Sequence, residues 1–278
     1  MKKLLLRSVT GLVYVGIILA GLLSGMWQLM LALCLLFGVL GVVEFYKLAN
    51  AQNGIKTLPL MLDVIGAVLL ISSPLVVAQN LVSMSAMGVG YLCYMILRLV
   101  LQLYTKELSP FANLAYSFMG QLYVVLPLAL MALIYSVFPG GNILLLAMFV
   151  MIWVNDTGAF VVGCSIGRHR LFERISPKKS WEGFWGGMIF SIGAAIAFYF
   201  LAPAVFGQIG VVTTILLGVV VSAFATWGDL VESLIKRTLD VKDSGNILPG
   251  HGGILDRIDS LLLVIPAMLC YLVIIDCF

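Results

Sequence analysis

The chain has 278 residues, of which 62% are hydrophobic and only 10% charged, with a formal net charge of +3. A mean hydropathy of +1.12 excludes an ordinary soluble domain and predicts an all-α integral membrane protein. So small a positive charge gives no reason to expect a nucleic-acid partner.

Nine apolar stretches are long enough to cross a hydrocarbon core of about 30 Å, which takes roughly 20 residues per helix. They lie near residues 8–24, 27–46, 58–78, 82–104, 114–137, 142–163, 184–203, 208–228 and 260–276. We therefore expect a polytopic bundle of about nine transmembrane helices surrounded by membrane lipids. The basic N-terminal start resembles a signal peptide, but further membrane segments follow it, so an uncleaved first span is expected.

The basic residues predict the orientation of the spans. When the N-terminus is placed in the cytoplasm, all 16 Lys and Arg fall on the cytoplasmic side, and the opposite loops contain none. Basic loops are typical of the inside. We expect a multi-pass protein of the plasma membrane, in a bacterium the inner membrane, with its active site facing the cytoplasm.

The two halves of the chain differ in polarity. Residues 1–140 are predicted to be a scaffold of transmembrane helices. Its few polar residues within spans include Asp63, and Glu44 with Lys47 three positions later, for which packing and local ion pairing are expected. Residues 141–278 are predicted to form the catalytic region with the nucleotide and metal site, although the two halves can also form one continuous domain.

The first polar segment of the second half surrounds the sixth predicted span. An acid within that span, Asp156, is a functional candidate, because a charge inside the bilayer is expensive. Ser176–Pro177, followed by Glu182, resembles a helix start with proline in the first turn. Lys178 and Lys179 beside such a helix N-terminus would favour phosphate. Alternatively, these lysines only mark the cytoplasmic side.

The eighth span is predicted to continue past the bilayer as an amphipathic helix. At about 100° per residue, one stripe carries acids, a serine and bases. Its members are Asp229, Glu232, Ser233, Lys236, Arg237 and Asp240. A solvated interfacial face is the alternative, but the mixed charges and the place of Asp229 at the membrane boundary favour a functional site.

A glycine-rich loop, KDSGNILPGHGG, follows this helix. Its glycines and proline exclude a helix interior and let backbone amides approach an anion. The flanking charges are Lys236, Arg237 and Lys242 before it and Asp256, Arg257 and Asp259 after it. Carboxylates beside phosphate-binding cations are what a Mg²⁺–polyphosphate site requires. His251 is expected to contact substrate or order the loop, whereas His169 is expected at the surface.

The segment SLIKRTLDVKDSGNILPGHGGILDRID, residues 233–259, resembles the signature of the phosphatidate cytidylyltransferases, also called CDP-diacylglycerol synthases. The shared positions are Ser233, Lys236, Arg237, Lys242, Asp243, Pro249, His251, Gly252, Gly253, Asp256, Arg257 and Asp259. Asn155–Asp156 and residues 176–183 also match that family. The first half of the chain matches only in its hydrophobicity and length.

The resemblance implies transfer of CMP from CTP to phosphatidate, giving CDP-diacylglycerol and pyrophosphate with the help of Mg²⁺. It also implies a second cation such as K⁺ and a homodimer. Asp229 and Asp256 are assigned to the metal, and these two acids with Lys236 and Arg237 are the expected catalytic residues. The expected substrate-binding residues are Ser233, Lys242, His251, Gly252, Gly253, Arg257, Asp259, Asp156 and Lys179.

Two alternatives stay open. A related CTP-dependent enzyme that acts on another lipid phosphate would share the composition and the polar residues. A secondary transporter would be expected to show inverted repeats and broken helices at the bilayer midplane. The charges here gather at one surface instead, which favours the enzyme.

Overall fold

This computed structural model describes residues 2–53, 60–106, 109–241, 243–245, 247 and 252–276. The helices are α1 Lys2–Leu23, α2 Trp27–Asn53, α3 Leu60–Ala78, α4 Met84–Gln102, α5 Pro110–Gly120, α6 Leu126–Val137, α7 Gly141–Ile166, α8 Trp181–Leu201, α9 Pro203–Ile209, α10 Val211–Thr238 and α11 Leu255–Asp276. A π-helical turn, Gln121–Val125, joins α5 to α6. Within the described ranges, the only sheet pairs the short strands β1 Arg170–Phe172 and β2 Ser176–Ser180. The predicted all-α fold is confirmed.

In the described part of the chain, eight helical segments are long and apolar enough to cross a bilayer. One of them is formed by α5, the π-helical turn and α6 together, and the others are α2, α3, α4, α7, α8, α10 and α11. These eight segments correspond to predicted spans, so the chain is a multi-pass membrane protein. The remaining predicted span corresponds to α1, whose described apolar part, Val9–Leu23, is shorter than the other eight.

The chain divides into two compact units. The first contains Met1–Val137 and Leu239–Ile258, and the second contains Phe138–Thr238 and Asp259–Phe278. The residues around Asp256 therefore belong with the N-terminal helices, whereas Asp229 and Asp259 belong to the second unit.

A buried polar network connects α3, α4 and α5 in the first unit. Asp63 and Arg98 are both fully buried, with 3.6 Å between Asp63 Oδ1 and Arg98 Nε. The Arg98 guanidinium donates hydrogen bonds to the side chains of Gln102, Asn113 and Ser117. The hydroxyls of Tyr94 and Ser117 donate to the Asp63 carboxylate at 2.7 and 2.5 Å. The expected packing and ion pairing of Asp63 are present, but the pairing is not local, because Arg98 lies on another helix.

Close helix packing organises the second unit, where α7, α8 and α10 contact one another. Glycines line the α7–α8 contact: a Cβ at Gly186 would lie 2.5 Å from Val162 Cβ, and one at Gly187 would lie 2.6 Å from Asn155 Oδ1. Small residues let membrane helices approach this closely. This close packing fixes the positions of the polar residues on α7 and α10.

The polar segment between α7 and α8 forms an antiparallel hairpin, with Arg170 opposite Ser180 and Phe172 opposite Ser176. The predicted helix start at Ser176–Pro177 is wrong, because both residues lie in β2. Helix α8 begins at Trp181, and its N-cap is Ser180, whose hydroxyl accepts a hydrogen bond from Gly183 N at 3.1 Å. Because Ser176 is paired in β2, α8 begins only after the strand ends, with Ser180 as its N-cap.

Candidate active site

Charged side chains from four segments of the second unit lie near one another. Lys179 of β2 and Asp229 of α10 form an ion pair, with 2.6 Å between Lys179 Nζ and Asp229 Oδ2. Lys179 Nζ also donates to Thr226 O at 3.4 Å. Asp259, in the second turn of α11, and Asp156 on α7 lie close enough to Asp229 for their charges to interact. We call Asp156, Lys179, Asp229 and Asp259 the Asp229 cluster.

The Asp229 cluster has an excess of negative charge, because it combines acids with a single lysine. Asp229 and Asp259 are half-buried, and partly buried like charges destabilise one another unless a cation compensates. Across the described ranges, no group of three or more His, Cys, Asp or Glu side chains is placed to hold a metal alone. Mg²⁺ needs only one or two protein carboxylates when phosphate oxygens and water complete its shell. These donors therefore fit a Mg²⁺ ion that arrives with a phosphate ligand.

A buried hydrogen bond fixes α7 against α10 beside Asp156. Ser222 Oγ donates to Asn155 Oδ1 at 2.7 Å, and both side chains are buried. The neighbouring Asp156 is exposed. Asn155 therefore stabilises the contact between α7 and α10, whereas the carboxylate of Asp156 is accessible at the surface.

Gly228 on α10 lets α11 approach closely beside the Asp229 cluster. A Cβ at Gly228 would lie 2.7 Å from Asp259 O and 2.8 Å from Ser260 Cα, which are backbone atoms that cannot move alone. We expect Gly228→Ala to force the helices apart and destabilise the protein by about 1–3 kcal/mol. The same displacement should lower kcat, because Asp259 moves with its backbone.

Thermal unfolding in detergent and steady-state kinetics would measure both effects of Gly228→Ala. The matched control is Gly193→Ala on α8, because no atom lies within 4 Å of a Cβ at Gly193. The control should retain the wild-type unfolding temperature and kcat. Wild-type values for Gly228→Ala itself would contradict a tight contact between α10 and α11.

The polar stripe predicted on the eighth span is present along the last turns of α10. Ser233 Oγ donates to Asp229 Oδ1 at 3.2 Å. Lys236 forms an ion pair with Glu232, whose side chain is buried with an exposed fraction of 3%. Arg237 is exposed. The stripe is therefore partly an internal polar surface and not a uniformly solvated face.

Asp240 does not belong to this stripe, so its predicted place on the helix is wrong. Helix α10 ends at Thr238. Asp240 follows with a φ of 51°, in the left-handed region where a right-handed helix cannot continue. Aspartate tolerates this region better than most residues, which suits it to the turn that leaves the helix.

In the first unit, Asp256 connects the two ends of the glycine-rich loop. Its carboxylate accepts hydrogen bonds from Ser244 N at 3.0 Å and from Gly253 N at 2.8 Å. In return, Asp256 N donates to Ser244 Oγ at 3.3 Å. Gly252 has a φ of 82°, and a Cβ there would lie 2.6 Å from Asp256 Oδ2, so this position requires glycine. Asp256 thus has a structural role that the sequence did not predict.

The other predicted loop residues are only partly described. Lys242 and His251 lie outside the described residues. Arg257 is exposed, and its backbone carbonyl accepts a hydrogen bond from the Tyr14 hydroxyl at 3.1 Å. That contact ties α1 to the start of α11 within the first unit.

His169 is exposed at the hairpin, as predicted. Its Nδ1 lies 2.6 Å from Glu182 Oε1, and the same carboxylate accepts hydrogen bonds from the backbone nitrogens of Arg168 and His169. Glu182 thus fastens the start of the hairpin to the first turn of α8. Its contacts are structural.

Glu44 on α2 is a candidate whose importance the sequence did not reveal. Its side chain is buried, and its carboxylate accepts a hydrogen bond from Leu255 N at 2.9 Å. Lys47 is exposed. The prediction of local pairing for Glu44 is wrong, because its partner lies 211 residues along the chain. The available signal was an acid inside an apolar span.

The helical bundle and its charged residues define a polytopic membrane protein with a polar site on its helices. The chain matches the cytidylyltransferase family over residues 5–275 and belongs to that family. A phosphatidate cytidylyltransferase of Staphylococcus aureus (strain COL) is 34% identical over 270 residues, which cover 94% of this chain and 96% of that protein. The resemblance stated from residues 233–259 is thereby confirmed.

Two further relatives carry the same name. The phosphatidate cytidylyltransferase of Bacillus subtilis (strain 168) is 50% identical over 117 residues, 42% of each chain. That of Staphylococcus haemolyticus (strain JCSC1435) is 39% identical over 157 residues, 55% of this chain and 59% of that protein. The family assignment therefore does not depend on a single relative.

Proposed function

We propose that the protein transfers a CMP group from CTP to phosphatidate, giving CDP-diacylglycerol and pyrophosphate for phospholipid biosynthesis. The observation that carries this proposal is the similarity to the Staphylococcus aureus phosphatidate cytidylyltransferase over 94% of this chain and 96% of that protein. The Asp229 cluster supports it, because carboxylates paired with a lysine suit a metal-bound polyphosphate.

The proposed reaction is a displacement at phosphorus. A phosphate oxygen of phosphatidate forms a bond to the α-phosphorus of CTP, while the bond from that phosphorus to the oxygen bridging to the β-phosphate breaks. Pyrophosphate leaves with the bonding electrons. Because the attacking oxygen is already anionic near neutral pH, no strong general base is needed. Catalysis then depends on alignment and on neutralising the charge of the triphosphate.

The basic residues of the signature are proposed to hold the phosphates, and these are Lys236, Arg237 and Lys242. Ser233 would donate a hydrogen bond to a phosphate oxygen, as it now does to Asp229. The loop residues His251, Gly252 and Gly253 are proposed to surround the nucleotide. The residues proposed to position the nucleotide or the lipid headgroup are Asp156, Lys179, Arg257 and Asp259.

Asp229 and Asp256 are the proposed Mg²⁺ ligands. When bound, Mg²⁺ would neutralise charge on the triphosphate. Asp229 offers a half-buried carboxylate whose present partner is Lys179. Asp256 offers a carboxylate that accepts hydrogen bonds from the amides of Ser244 and Gly253, and a carboxylate has about four lone-pair sites. A second cation such as K⁺ and a homodimer are proposed from the family resemblance alone.

We also propose that this multi-pass protein lies in the bacterial inner membrane with its active site at the cytoplasmic face. The support is the distribution of its basic residues: apart from Arg98, which is buried within α4, they all fall on one side of the predicted spans. Basic loops stay on the cytoplasmic side of a membrane. CTP is a cytoplasmic nucleotide, so this orientation suits the proposed substrate.

The test uses the purified protein in detergent micelles that contain phosphatidate. Mg²⁺-dependent release of pyrophosphate from CTP would be measured, with ATP and GTP as competing nucleotides. Parallel reactions with other lipid phosphates would test the alternative substrate class. We expect turnover with CTP and phosphatidate, and an absence of CTP-dependent turnover with this lipid would overturn the proposal.

Removing the charge of Lys236 should weaken the binding of CTP. We expect Lys236→Ala to raise KM for CTP by about 10-fold or more, because a charge-assisted hydrogen bond to phosphate is lost. The variant also leaves Glu232 without this ion pair. Glu232→Gln is the matched control, since it breaks the same ion pair while keeping the lysine. An unchanged KM in Lys236→Ala, or an equal rise in Glu232→Gln, would contradict phosphate binding by Lys236.

A further inference from the structure

A buried carboxylate of the N-terminal helices contacts the start of α11 within the first unit. Glu44 on α2 is only 1% exposed. Its Oε2 accepts a hydrogen bond from Leu255 N at 2.9 Å and lies 3.4 Å from Ser244 Oγ, which donates to it. Leu255 is the first residue of α11. The negative charge therefore lies at a helix N-terminus, where free amide groups and the helix dipole stabilise it.

The loop backbone is shaped around this carboxylate. A Cβ at Gly245 would lie 2.5 Å from Glu44 Oε1, and a Cβ at Gly253 would lie 2.5 Å from Glu44 Oε2. Both positions therefore need glycine for the acid to fit. Gly245 and Gly253 thus leave space for the Glu44 carboxylate, which comes from α2.

The same contacts lead directly to Asp256. Ser244 Oγ donates to Glu44 and accepts a hydrogen bond from Asp256 N at 3.3 Å. The amides of Ser244 and Gly253 in turn donate to the Asp256 carboxylate. A movement of Glu44 would therefore displace Ser244 and the first turn of α11, and with them the amides of Ser244 and Gly253 that orient the Asp256 carboxylate.

We propose that Glu44 is a positioning residue, which orients the Asp256 carboxylate by holding Ser244 and the first turn of α11. This inference rests on the proposed function, in which Asp256 binds Mg²⁺. Burying an acid is costly, and packing alone would favour an apolar side chain at this place in an apolar helix. The hydrogen bonds that the Glu44 carboxylate accepts from Ser244 and Leu255 explain why a charged residue occupies this position.

The first test replaces Glu44 by glutamine, which keeps the shape and removes the charge. We expect the Mg²⁺ concentration for half-maximal activity to rise by about 10-fold or more, as is usual when a group that orients a metal ligand is changed. KM for CTP should change less than this Mg²⁺ requirement. Tyr46→Phe on the same helix is the matched control, because the hydroxyl that it removes interacts with Ser117 and Asp63 in the buried network of α3, α4 and α5. Its Mg²⁺ requirement should match the wild type.

A second readout does not need activity. Hydrogen exchange of peptides covering residues 243–256 would be measured without Mg²⁺ in both variants and in the wild type. Within these peptides, the amides of Ser244, Gly253 and Leu255 should exchange faster by about 10-fold in Glu44→Gln, because a charge-assisted acceptor becomes a neutral one. If Glu44→Gln does not fold, Ser244→Ala removes the connecting hydroxyl and should shift the Mg²⁺ requirement in the same direction.

The outcomes separate the inference from the proposed function. A wild-type protein without CTP-dependent turnover would overturn the function, and hydrogen exchange would still show whether Glu44 holds the loop. In an active wild type, an unchanged Mg²⁺ requirement and unchanged exchange in Glu44→Gln would overturn the positioning role. Equal effects in Tyr46→Phe would do the same, since they would indicate a general loss of packing.

Discussion

Replacing Asp229 by asparagine is expected to lower kcat by about 100-fold or more, because the charge of a proposed Mg²⁺ ligand is lost. Asparagine keeps the shape of the side chain and an oxygen that can accept the Ser233 hydroxyl. The ion pair with Lys179 would lose its negative partner. Removing one of several interacting negative charges also lowers the repulsion from Asp156 and Asp259.

Activity and stability should therefore respond differently in Asp229→Asn. We expect an unfolding temperature equal to or above the wild-type value, as is common when a charged functional residue is neutralised. Steady-state kinetics and thermal unfolding in the same detergent would measure the two quantities. Glu173→Gln, which neutralises an exposed acid of the same unit, should leave both unchanged. Retention of more than a tenth of the wild-type kcat in Asp229→Asn would argue against a role in catalysis.

The largest expected effect on stability comes from Asp63. Asp63→Asn leaves the Arg98 guanidinium fully buried without a negative partner. Breaking a buried ion pair on one side typically destabilises a protein by about 3–5 kcal/mol. We expect a loss near the lower end of this range, because Gln102, Asn113 and Ser117 still accept hydrogen bonds from Arg98.

A double substitution would show whether the loss comes from the unpaired charge. Asp63→Asn combined with Arg98→Gln removes both charges, so no buried charge is left unpaired, and the two amides can still hydrogen-bond within the network. We expect the double variant to be more stable than Asp63→Asn in equilibrium unfolding experiments. A single variant as stable as the wild type, or a double variant less stable than the single one, would contradict this account of the network.

The sequence predicted best those features that depend on neighbours along the chain. Apolar run length located the transmembrane helices, and helical periodicity placed Asp229, Ser233 and Lys236 on one face of α10. The periodicity could not show that α10 ends at Thr238. The helix is followed by the left-handed conformation of Asp240, and an aspartate in the sequence does not by itself indicate that conformation.

Contacts between distant segments were harder to predict. Periodicity and spacing contain no information that would pair Lys179 with Asp229. The contact between β2 and α10 depends on how α7, α8 and α10 pack together. The local pairing predicted for Glu44 is wrong for the same reason: the nearest charged residue along the helix is Lys47, but the carboxylate contacts Leu255 N. The family resemblance supplied candidate residues for the site, but the geometry of their partners required the structure.

The π-helical turn between α5 and α6 rotates the buried face of α6 about the helix axis relative to the buried face of α5. Up to its first residue, Gln121, the polar side chains of Asn113, Ser117 and Gln121 hydrogen-bond with the buried pair Asp63 and Arg98. After it, the buried face consists of apolar side chains such as Leu128 and Met131. Losing or gaining one residue would rotate one face against the other by about 100°. This 28-residue segment should thus accept changes of side chain on its outer surface more readily than any change of length.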